Sequence, residues 1–380
     1  MSQRPVLLVT NDLGPRAGGI ESFILGLLGE LDGSQIAIFT SSQEGDRAFD
    51  QELNEKYGVI VHRDRAKVLL PTPRVNRAVK KVMNSYSSEI IWYGAAAPLG
   101  WMSGYLKRAG AKRQVALTHG HEVWWSKLWP FSIVMKAISR NLDVLTYLGN
   151  FTLQAMKPVL RKDLQTVRIA PGIAVDHFTP GPKPADLVSA LKLENKKVIV
   201  SVGRLVHRKG QDKLIEALPL ILKSEPEAIL LLVGEGPYKE HLAKLVHTLK
   251  IEESVRFVGR LQYQELPRYL RVGDIFAMPS RSRFFGLEVE GLGIVYLEAS
   301  SAGLPVLGGA SGGAPDAVLP GETGLVVDGT DVKAIAQSAI TLLHDPALRA
   351  RMGERGRSWA LETWSWQIWG ERFKAVLFGE

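Results

Sequence analysis

The chain has 380 residues, more than one compact core usually holds, and this length predicts two domains. Its hydrophobic fraction of 46% and charged fraction of 23% are those of a folded globular protein and exclude a largely disordered one. Cysteine is absent, which excludes disulfides, thiolate metal sites and a cysteine nucleophile and fits a cytoplasmic protein. No apolar run approaches the roughly 20 residues of a membrane span, and no signal-peptide pattern precedes the first strand, so we expect any membrane contact to be peripheral.

The net charge of +8 is concentrated in the N-terminal half, where residues 1–180 hold 22 basic and 15 acidic residues. Seven of these basic residues form a cluster that only Asp64 opposes. Such a cluster suits anionic lipid headgroups, a solvated helix face or, less well, nucleic acid. The cluster comprises Arg63, Arg65, Lys67, Arg74, Arg77, Lys80 and Lys81.

Short β-branched runs alternate with amphipathic stretches along the whole chain, which predicts βαβ units and parallel sheets. A polar connector at 179–186 separates two series of such runs. The first series comprises 6–10, 35–39, 59–62, 90–93, 115–118, 144–147 and 167–169, and the second comprises 198–202, 228–233, 255–258, 275–278, 305–307 and 325–327. We therefore predict an α/β protein with two Rossmann-like domains, 1–180 and 187–360, that face a central cleft. The helical C-terminus, 361–380, is expected to return to the first domain.

In parallel sheets, binding loops follow the strand carboxyl ends. The first such loop contains Gly18 and Gly19 at the start of a helix, where backbone amides can approach a phosphate, although a tight turn without a ligand has the same sequence. The loop opening the second domain presents Arg204 and Lys209 directly after a strand. Two cations in such a loop can stabilise a departing diphosphate in place of a metal ion, and no Asp-x-Asp pair occurs in the chain.

The most specific stretch runs from Arg281 to Glu298 and contains two carboxylates eight residues apart, Glu290 and Glu298. If a helix begins near Gly291, Glu290 lies at its N-terminal rim and Glu298 about two turns further on. Glu290 can then accept hydrogen bonds from sugar hydroxyls and Glu298 from a ribose, while the backbone amides cradle phosphate. A general acid and base pair is a rival interpretation. The amides in question belong to Gly291, Leu292, Gly293 and Ile294.

These motifs resemble the family 4 retaining glycosyltransferases of GT-B fold, whose paired glutamates match Glu290 and Glu298. The resemblance covers nearly the whole chain and extends to the turns at 233–237 and 311–315. The closer likeness is to bacterial phosphatidylinositol mannoside mannosyltransferases that use GDP-mannose. Segments 9–12, 94–99, 118–123 and 289–299 carry that closer likeness.

The resemblance implies an N-terminal acceptor domain and a C-terminal donor-nucleotide domain. It places the donor diphosphate on Arg204 and Lys209, the transferred sugar on Glu290 and beside His119, and the ribose on Glu298. Backbone near Val258 and Arg260 would meet the base. The departing phosphate would accept the acceptor proton on the leaving-group face, so that neither a protein base nor a metal cofactor is required.

His119, His121 and Glu122 form a short polar run, but the spacing of the two histidines differs from the helical zinc pattern, and we predict no metal. Trp124 and Trp125 follow this run, and we expect them to contact the acceptor or the membrane, although aromatics that pack helices are the commoner case.

The sequence thus predicts an α-mannosyltransferase with an anionic phosphoinositide acceptor, peripheral at the inner face of the plasma membrane, monomeric or weakly dimeric, and without a nucleic-acid partner. One alternative keeps the fold with a UDP-sugar and a soluble or polysaccharide acceptor. Another is a non-catalytic protein that binds nucleotide-sugars or anionic lipids. A nicotinamide oxidoreductase is disfavoured, because the glycine motif that begins at Gly234 is incomplete.

Overall fold

A computed structural model describes residues 3–16, 18–286 and 288–380 of the protein. The chain forms two compact units: residues up to Gly172 together with Trp366–Glu380, and Ile173–Ser365. The segment just after Gly172 belongs to the second unit rather than to a linker, because it is bound to the end of that unit. The Ile173 N–H donates to the Trp364 carbonyl, and Arg357 donates to the carbonyls of Val175 and Phe178.

The first unit is built on a parallel sheet, which has seven strands among the described residues, in the order β3-β2-β1-β4-β5-β6-β7. Strands β1 and β2 are buried along their whole length, as expected of parallel strands that helices cover on both faces. The strands are β1 (Val6–Val9), β2 (Ile36–Ser41), β3 (Ile60–Asp64), β4 (Ile90–Tyr93), β5 (Arg113–Ala116), β6 (Val144–Tyr147) and β7 (Gln165–Arg168).

Helices cover both faces of this sheet. The third, fourth, sixth and seventh helices share one apolar core with one face, and the first two pack on the other face. A 3₁₀ turn, Leu99–Met102, precedes the fourth helix. The helices are α1 (Gly19–Gly29), α2 (Asp46–Tyr57), α3 (Pro73–Tyr86), α4 (Ser103–Arg108), α5 (Glu122–Lys127), α6 (Phe131–Asn141) and α7 (Asn150–Met156).

The second unit repeats the architecture with a parallel sheet in the order β10-β9-β8-β11-β12-β13. Its strands are β8 (Lys197–Val202), β9 (Ala228–Val233), β10 (Val255–Gly259), β11 (Ile275–Met278), β12 (Val306–Gly309) and β13 (Gly324–Val327). Its helices are α8 (Ala185–Ala190), α9 (Gln211–Ser224), α10 (Lys239–Thr248), α11 (Leu266–Arg271), α12 (Ile294–Ser301), α13 (Val332–His344) and α14 (Pro346–Thr363).

The last helix, α15 (Trp366–Phe378), returns to the first unit. Phe373 packs on Trp92 of β4 with ring centroids 4.8 Å apart, and Arg113 donates to the Val376 carbonyl. The predicted class of two Rossmann-like parallel sheets with a returning C-terminal helix is therefore confirmed.

Each sheet reverses its strand order at one point, between β1 and β4 in the first unit and between β8 and β11 in the second. Ligands of open parallel sheets bind beyond the carboxyl ends of the strands at such a point. The loops that follow β1, β8 and β11 contain Gly18 and Gly19, Arg204 and Lys209, and Glu290 respectively.

Candidate functional site

A carboxylate held by two cations lies at the reversal point of the second unit. Nζ of Lys209 lies 2.8 Å from Oε2 of Glu290, and Nη1 of Arg208 lies 2.5 Å from the same oxygen. Burial alone would raise the pKa of Glu290, but the charges and hydrogen bonds of Lys209 and Arg208 outweigh it and hold this pKa below its usual value. Glu290 is therefore ionised at neutral pH, and its other oxygen, Oε1, is left to accept hydrogen bonds from a ligand.

The backbone around Glu290 is fixed by the turn at 311–313. Gly313 donates to the Glu290 carbonyl over 2.8 Å, and the Ser311 hydroxyl accepts from the Glu290 N–H over 3.2 Å. A Cβ on Gly312 would meet the Glu290 carbonyl oxygen at 2.4 Å, and the φ of Gly312 is +55°. A glycine is therefore required where this turn passes the carboxylate.

The sequence predicted Glu290 at the N-terminal rim of a helix, but in the structure Glu290 lies in the loop before that helix. Helix α12 begins at Ile294, with Gly293 as its N-cap at a φ of +82°. Residues Gly291 to Gly293 form a loop instead, because they are enclosed by the turn at 311–313, where a Cβ on Gly313 would meet the Gly291 carbonyl at 2.1 Å.

Glu298 lies on the second turn of α12 and is 6% exposed. Burial raises the pKa of Glu298 to about 7. Among the described residues, no side chain pairs with its carboxylate or donates a hydrogen bond to it. A nearly buried carboxylate without partners is costly, and ligand hydroxyls would relieve that cost.

An aromatic side chain, Tyr263, lies close to Glu298. Burial and the charge of Glu298 raise the pKa of Tyr263, whose ring stacks on His177 with centroids 5.3 Å apart. Val258 and Arg260, the residues predicted to be near a base, lie at the carboxyl end of β10, an edge strand. Arg260 is exposed.

A buried ion pair ties the two loops of this site together. Arg281 donates to both carboxylate oxygens of Asp212 over 2.9 and 2.7 Å, and the two side chains are 5% and 6% exposed. Nη2 of Arg281 also lies 2.9 Å from Nδ1 of His207, and the Arg281 N–H donates to the Arg208 carbonyl over 2.8 Å. Arg281 therefore holds in place the loop that presents Arg208 and Lys209.

In the first unit, Gly18 and Gly19 open α1 beside a cavity of about 860 Å³. A Cβ built on either glycine meets nothing within 4 Å, so the cavity reaches their backbone. The Gly18 amide is already occupied, because Glu21 accepts from it over 2.9 Å. The cavity is also lined by Asn11, Asp12, Arg16, Arg65 and Lys67.

His119 is positioned by two hydrogen bonds. Its Nε2 lies 2.5 Å from the Gly94 carbonyl, and its backbone N–H donates to Glu122 over 2.9 Å. A carbonyl only accepts, so Nε2 carries the proton. Burial lowers the pKa of His119, which leaves the ring neutral and Nδ1 with a lone pair.

His121 and Asp12 lie close to His119. The His121 ring stacks on His119 with centroids 6.3 Å apart, and its Nε2 lies 3.3 Å from Oε1 of Glu122. Burial raises the pKa of Asp12. In the part of the chain that the structure describes, no group of three or more His, Cys, Asp or Glu side chains is arranged to hold a metal ion.

The basic cluster divides into internal and exposed members. Arg63 binds Asp50 over 2.7 Å and the carbonyls of Gly14 and Ser41, and its side chain is 10% exposed. This corrects the expectation that Arg63 contacts lipid, because its donors are already used. Arg74 makes two hydrogen bonds of 2.7 Å to Asp64. The exposed members are Arg65, Lys67, Arg77 and Lys81, with Lys80 half-buried beside them.

The two tryptophans expected to contact the acceptor or the membrane also pack on the next helix, and that contact stays a prediction. Trp124 and Trp125 are half-buried, and each ring contacts Phe131 with centroids 5.0 Å apart. Trp129, a few residues further along, is 80% exposed. No helix in the described ranges has both the length and the apolar character needed to cross a membrane.

The family of the chain follows from comparison with known proteins. The glycosyl transferases group 1 family matches residues 183–359. A Corynebacterium glutamicum protein named GDP-mannose-dependent monoacylated alpha-(1-6)-phosphatidylinositol monomannoside mannosyltransferase is 42% identical over 382 residues, which cover 100% of this chain and 99% of that protein. The chain belongs to the group 1 glycosyltransferases. A Mycolicibacterium smegmatis GDP-mannose-dependent alpha-(1-6)-phosphatidylinositol monomannoside mannosyltransferase is 41% identical over 376 residues, 98% of each chain.

Solved structures share the fold of this glycosyltransferase. HepE from Anabaena, in complex with UDP, superposes with a TM-score of 0.82 at 18% identity over 100% of both chains. Sucrose-phosphate synthase from Thermosynechococcus elongatus gives a TM-score of 0.78 at 23% identity over 99% of both chains. These structures confirm the fold, whereas the group 1 match and the two mannosyltransferase relatives confirm the family resemblance and the enzyme class predicted from the sequence.

The site also contains residues of this glycosyltransferase that were not predicted from the sequence. Arg208, rather than Arg204, contacts Glu290, while Arg204 is exposed on the same loop and no described residue pairs with its guanidinium. Arg281 and Asp212 support that loop. The one signal for this pair in the sequence was the position of Asp212 just after Lys209. Arg281, the partner of Asp212, lies 69 residues away and could not be paired with it from the sequence.

Proposed function

We propose that this glycosyltransferase transfers mannose from GDP-mannose to a phosphatidylinositol mannoside in a membrane. The observation that carries the chemistry is the contact of Lys209 and Arg208 with one oxygen of Glu290. The substrates are supported by the names of the two relatives from Corynebacterium and Mycolicibacterium, which match the chain over 99% and 98% of their lengths.

In the proposed reaction, the bond between mannose C1 and the β-phosphate oxygen breaks while the acceptor hydroxyl oxygen bonds to C1. Negative charge then grows on the departing diphosphate, where Lys209, Arg208 and Arg204 supply positive charge. The hydroxyl proton passes to the departing phosphate on the same face, so the configuration at C1 is retained. The amides of Gly291 to Ile294 contribute further donors to the phosphates.

Other residues position the two halves of the donor. Glu290 accepts from hydroxyls of the transferred mannose, and Nδ1 of neutral His119 accepts from another. Glu298 accepts from the ribose hydroxyls, which satisfies its otherwise unpaired carboxylate. The backbone at Val258 and Arg260 contacts the guanine, and Gly18 and Gly19 border the reacting groups.

The acceptor headgroup occupies the cavity of the first unit. Arg65 and Lys67 line this cavity and are exposed, so they can meet the phosphate of a phosphoinositide. Arg77, Lys80 and Lys81 line a shallow hollow on α3 and face anionic lipid headgroups. We therefore assign acceptor binding to the first unit, donor binding to the second, and the site of action to the cytoplasmic face of the plasma membrane.

The proposed reaction needs no metal cofactor, because the cations of the β8 loop stand at the leaving group. We also retain the prediction of a monomer or weak dimer. Both proposals are tested directly, by turnover in EDTA against turnover in Mg²⁺ and by sedimentation of the purified protein.

The experiment that tests the function is product analysis by mass spectrometry. GDP-mannose and UDP-sugars are supplied separately with vesicles containing phosphatidylinositol or its monomannoside, and with soluble sugars. The proposal predicts one added hexose on the lipid with GDP-mannose. Transfer from a UDP-sugar to a soluble acceptor would favour the first alternative, and binding of donor without any product would favour a non-catalytic protein.

A further inference from the structure

The large apolar side chains that are exposed in the first unit are not scattered. Those in its described residues all fall in three segments, namely the loop between β3 and α3, the 3₁₀ turn after β4, and the junction of α5 and α6. They are Val68 at 60%, Leu70 at 54%, Trp101 at 46%, Leu128 at 40%, Trp129 at 80% and Ile133 at 55% exposed. We call these six residues the apolar rim.

The topology places the three segments at one edge of the sheet. Strands β3 and β4 are parallel members of that sheet, so the segments that follow them leave from the same, carboxyl edge. Helix α6 ends at the opposite edge, where the Asp143 N–H donates to the carbonyl of Gln114 near the start of β5. Its first residue, Phe131, therefore lies at the carboxyl edge, and α3, α4 and α6 cover the same face of the sheet.

The junction of α5 and α6 is the most exposed part of the rim. The Ile133 N–H donates to the Pro130 carbonyl and the Ser132 N–H to the Leu128 carbonyl, so the chain turns tightly here. Trp124 and Trp125 pack on Phe131 beneath the turn. Trp129 and Ile133 are four residues apart and are exposed on this turn. The packing of the three aromatic rings supports the turn.

The charge around the rim identifies its partner. Residues 65–142, which contain all three segments, hold 13 Lys and Arg but only two acidic residues, Glu89 and Glu122, and Glu122 is buried. Arg65 and Lys67 flank Val68, and Lys136 is exposed one turn after Ile133. Exposed tryptophan and aliphatic side chains in a segment with an excess of cations match the interface of an anionic bilayer.

We propose that the apolar rim inserts into the membrane interface, with Trp129 and Ile133 as an anchor separate from the cations of α3. The acceptor cavity adjoins the rim, since Val68 belongs to both and Arg65 and Lys67 line the cavity beside it. The headgroup of a lipid acceptor can thus enter the cavity while its acyl chains remain in the bilayer. The link to the acceptor rests on the proposed function, whereas the insertion itself does not.

The absence of cysteine from the sequence allows a site-specific test. Trp129→Cys and, as a matched control, Leu361→Cys are labelled with an environment-sensitive dye; Leu361 is 44% exposed on α14 of the second unit. Full-length protein is mixed with phosphatidylcholine vesicles with or without phosphatidylinositol and with a nitroxide-labelled lipid. We expect a blue shift and nitroxide quenching at position 129 with the anionic vesicles, and neither at position 361.

Three results would overturn the proposal. The dye at position 129 could stay solvent-like while the protein sediments with the vesicles, or the protein could fail to bind anionic vesicles altogether. The dye could also shift with protein concentration in the absence of vesicles, which would identify the rim as a contact between two copies of the chain.

A second variant separates this inference from the proposed function. Trp129→Ser with Ile133→Ser is assayed with acceptor in vesicles and with a short-chain acceptor dispersed in buffer, and Leu361→Ser serves as the control. We expect a several-fold loss of transfer to the vesicle acceptor only. An equal loss with both acceptors contradicts membrane anchoring. If the unsubstituted protein transfers mannose to neither acceptor, the proposed function fails, and the dye measurement still decides the insertion.

Discussion

Lys209 contacts Glu290 across 2.8 Å, and Arg208 contacts the same carboxylate oxygen. The carboxylate thus pairs with two cations that the proposed mechanism assigns to the diphosphate. The donor must share or displace this contact, so the affinity for the nucleotide and the rate of transfer respond differently when the carboxylate is removed.

Replacing Glu290 with Gln should therefore separate binding from catalysis. We expect GDP to bind at least as tightly, because Lys209 and Arg208 lose their competing anion, while transfer falls by about 100-fold or more. Calorimetry with GDP and a transfer assay measure the two effects. Glu288→Gln is the matched control, since Glu288 lies 3.9 Å from Arg208 and is half-buried in the same loop. Full turnover by the Glu290 variant would remove this residue from the site.

Arg208 and Arg204 should differ in their kinetic effects. Arg208→Ala loses charge-assisted hydrogen bonds worth roughly tenfold or more in donor affinity, and it also lowers kcat, because Arg208 orients Glu290. Arg204→Ala should raise KM for the donor with a smaller effect on kcat. Steady-state kinetics of both variants distinguish the roles. A larger fall in kcat for Arg204→Ala would mean that Arg204, not Arg208, acts on the reacting groups.

The ion pair of Arg281 and Asp212 should contribute strongly to the stability of the second unit, because it holds the loop after β8 in place. Asp212→Ala leaves a buried guanidinium without its partner and should lower the free energy of unfolding by about 3–5 kcal/mol. Arg283→Ala, which breaks a partly exposed pair with Glu288, should cost about 1 kcal/mol or less. Urea denaturation measures both.

The stability contributed by Asp212 should also depend on pH. Burial alone would raise the pKa of Asp212, but Arg281 outweighs it and lowers this pKa in the folded state. Its contribution is therefore full above the unfolded pKa, near 3.8, and is lost as the pH falls through the folded value. A constant difference between the unsubstituted protein and Asp212→Asn down to strongly acid pH would contradict this pairing.

Glu298 should give the opposite pH dependence. Burial raises the pKa of Glu298 from 4.5 to about 7, so the folded state takes up a proton in that range, and stability falls as the pH rises from 4.5 through 7. Glu298→Gln should therefore be the more stable protein at pH 8, by about 3 kcal/mol, and the difference should vanish in acid. Denaturation at several pH values tests this. Equal stability at all pH values would mean that the carboxylate has a partner.

The ionisation of Glu298 should also appear in donor binding. The ionised carboxylate accepts two hydroxyl hydrogen bonds, so GDP affinity should increase as the pH rises through about 7. The same titration with Glu298→Gln should be flat over this range. A pH profile that is unchanged by the substitution would assign the ribose contact to another group.

The sequence predicted the strands best where they are compact apolar runs, as in Ala228–Val233, where the predicted and observed bounds of β9 coincide. It failed where side-chain direction depends on loop geometry. The 3₁₀ turn His207–Lys209 determines that Arg208 points to Glu290, and the left-handed backbone of Gly293 delays α12 to Ile294. Neither conformation is encoded by a local pattern of apolar residues.

Side-chain contacts between residues far apart in the sequence could not be predicted either. Arg63 was expected at the surface, yet it binds Asp50 on α2 and two distant carbonyls. Likewise, neighbouring tryptophans have identical chemistry, and only the turn between α5 and α6 decides that Trp124 and Trp125 pack on Phe131 and are half-buried while Trp129 is exposed.

The proposed function and the role of Glu290 are tested together by transfer of radiolabelled mannose from GDP-mannose into phosphatidylinositol monomannoside, with the purified protein and with Glu290→Gln, both in EDTA. We expect label in the lipid fraction with the unsubstituted protein and almost none with the variant. Label that stays in GDP-mannose, is released as free mannose, or enters the lipid equally with both proteins would contradict this expectation.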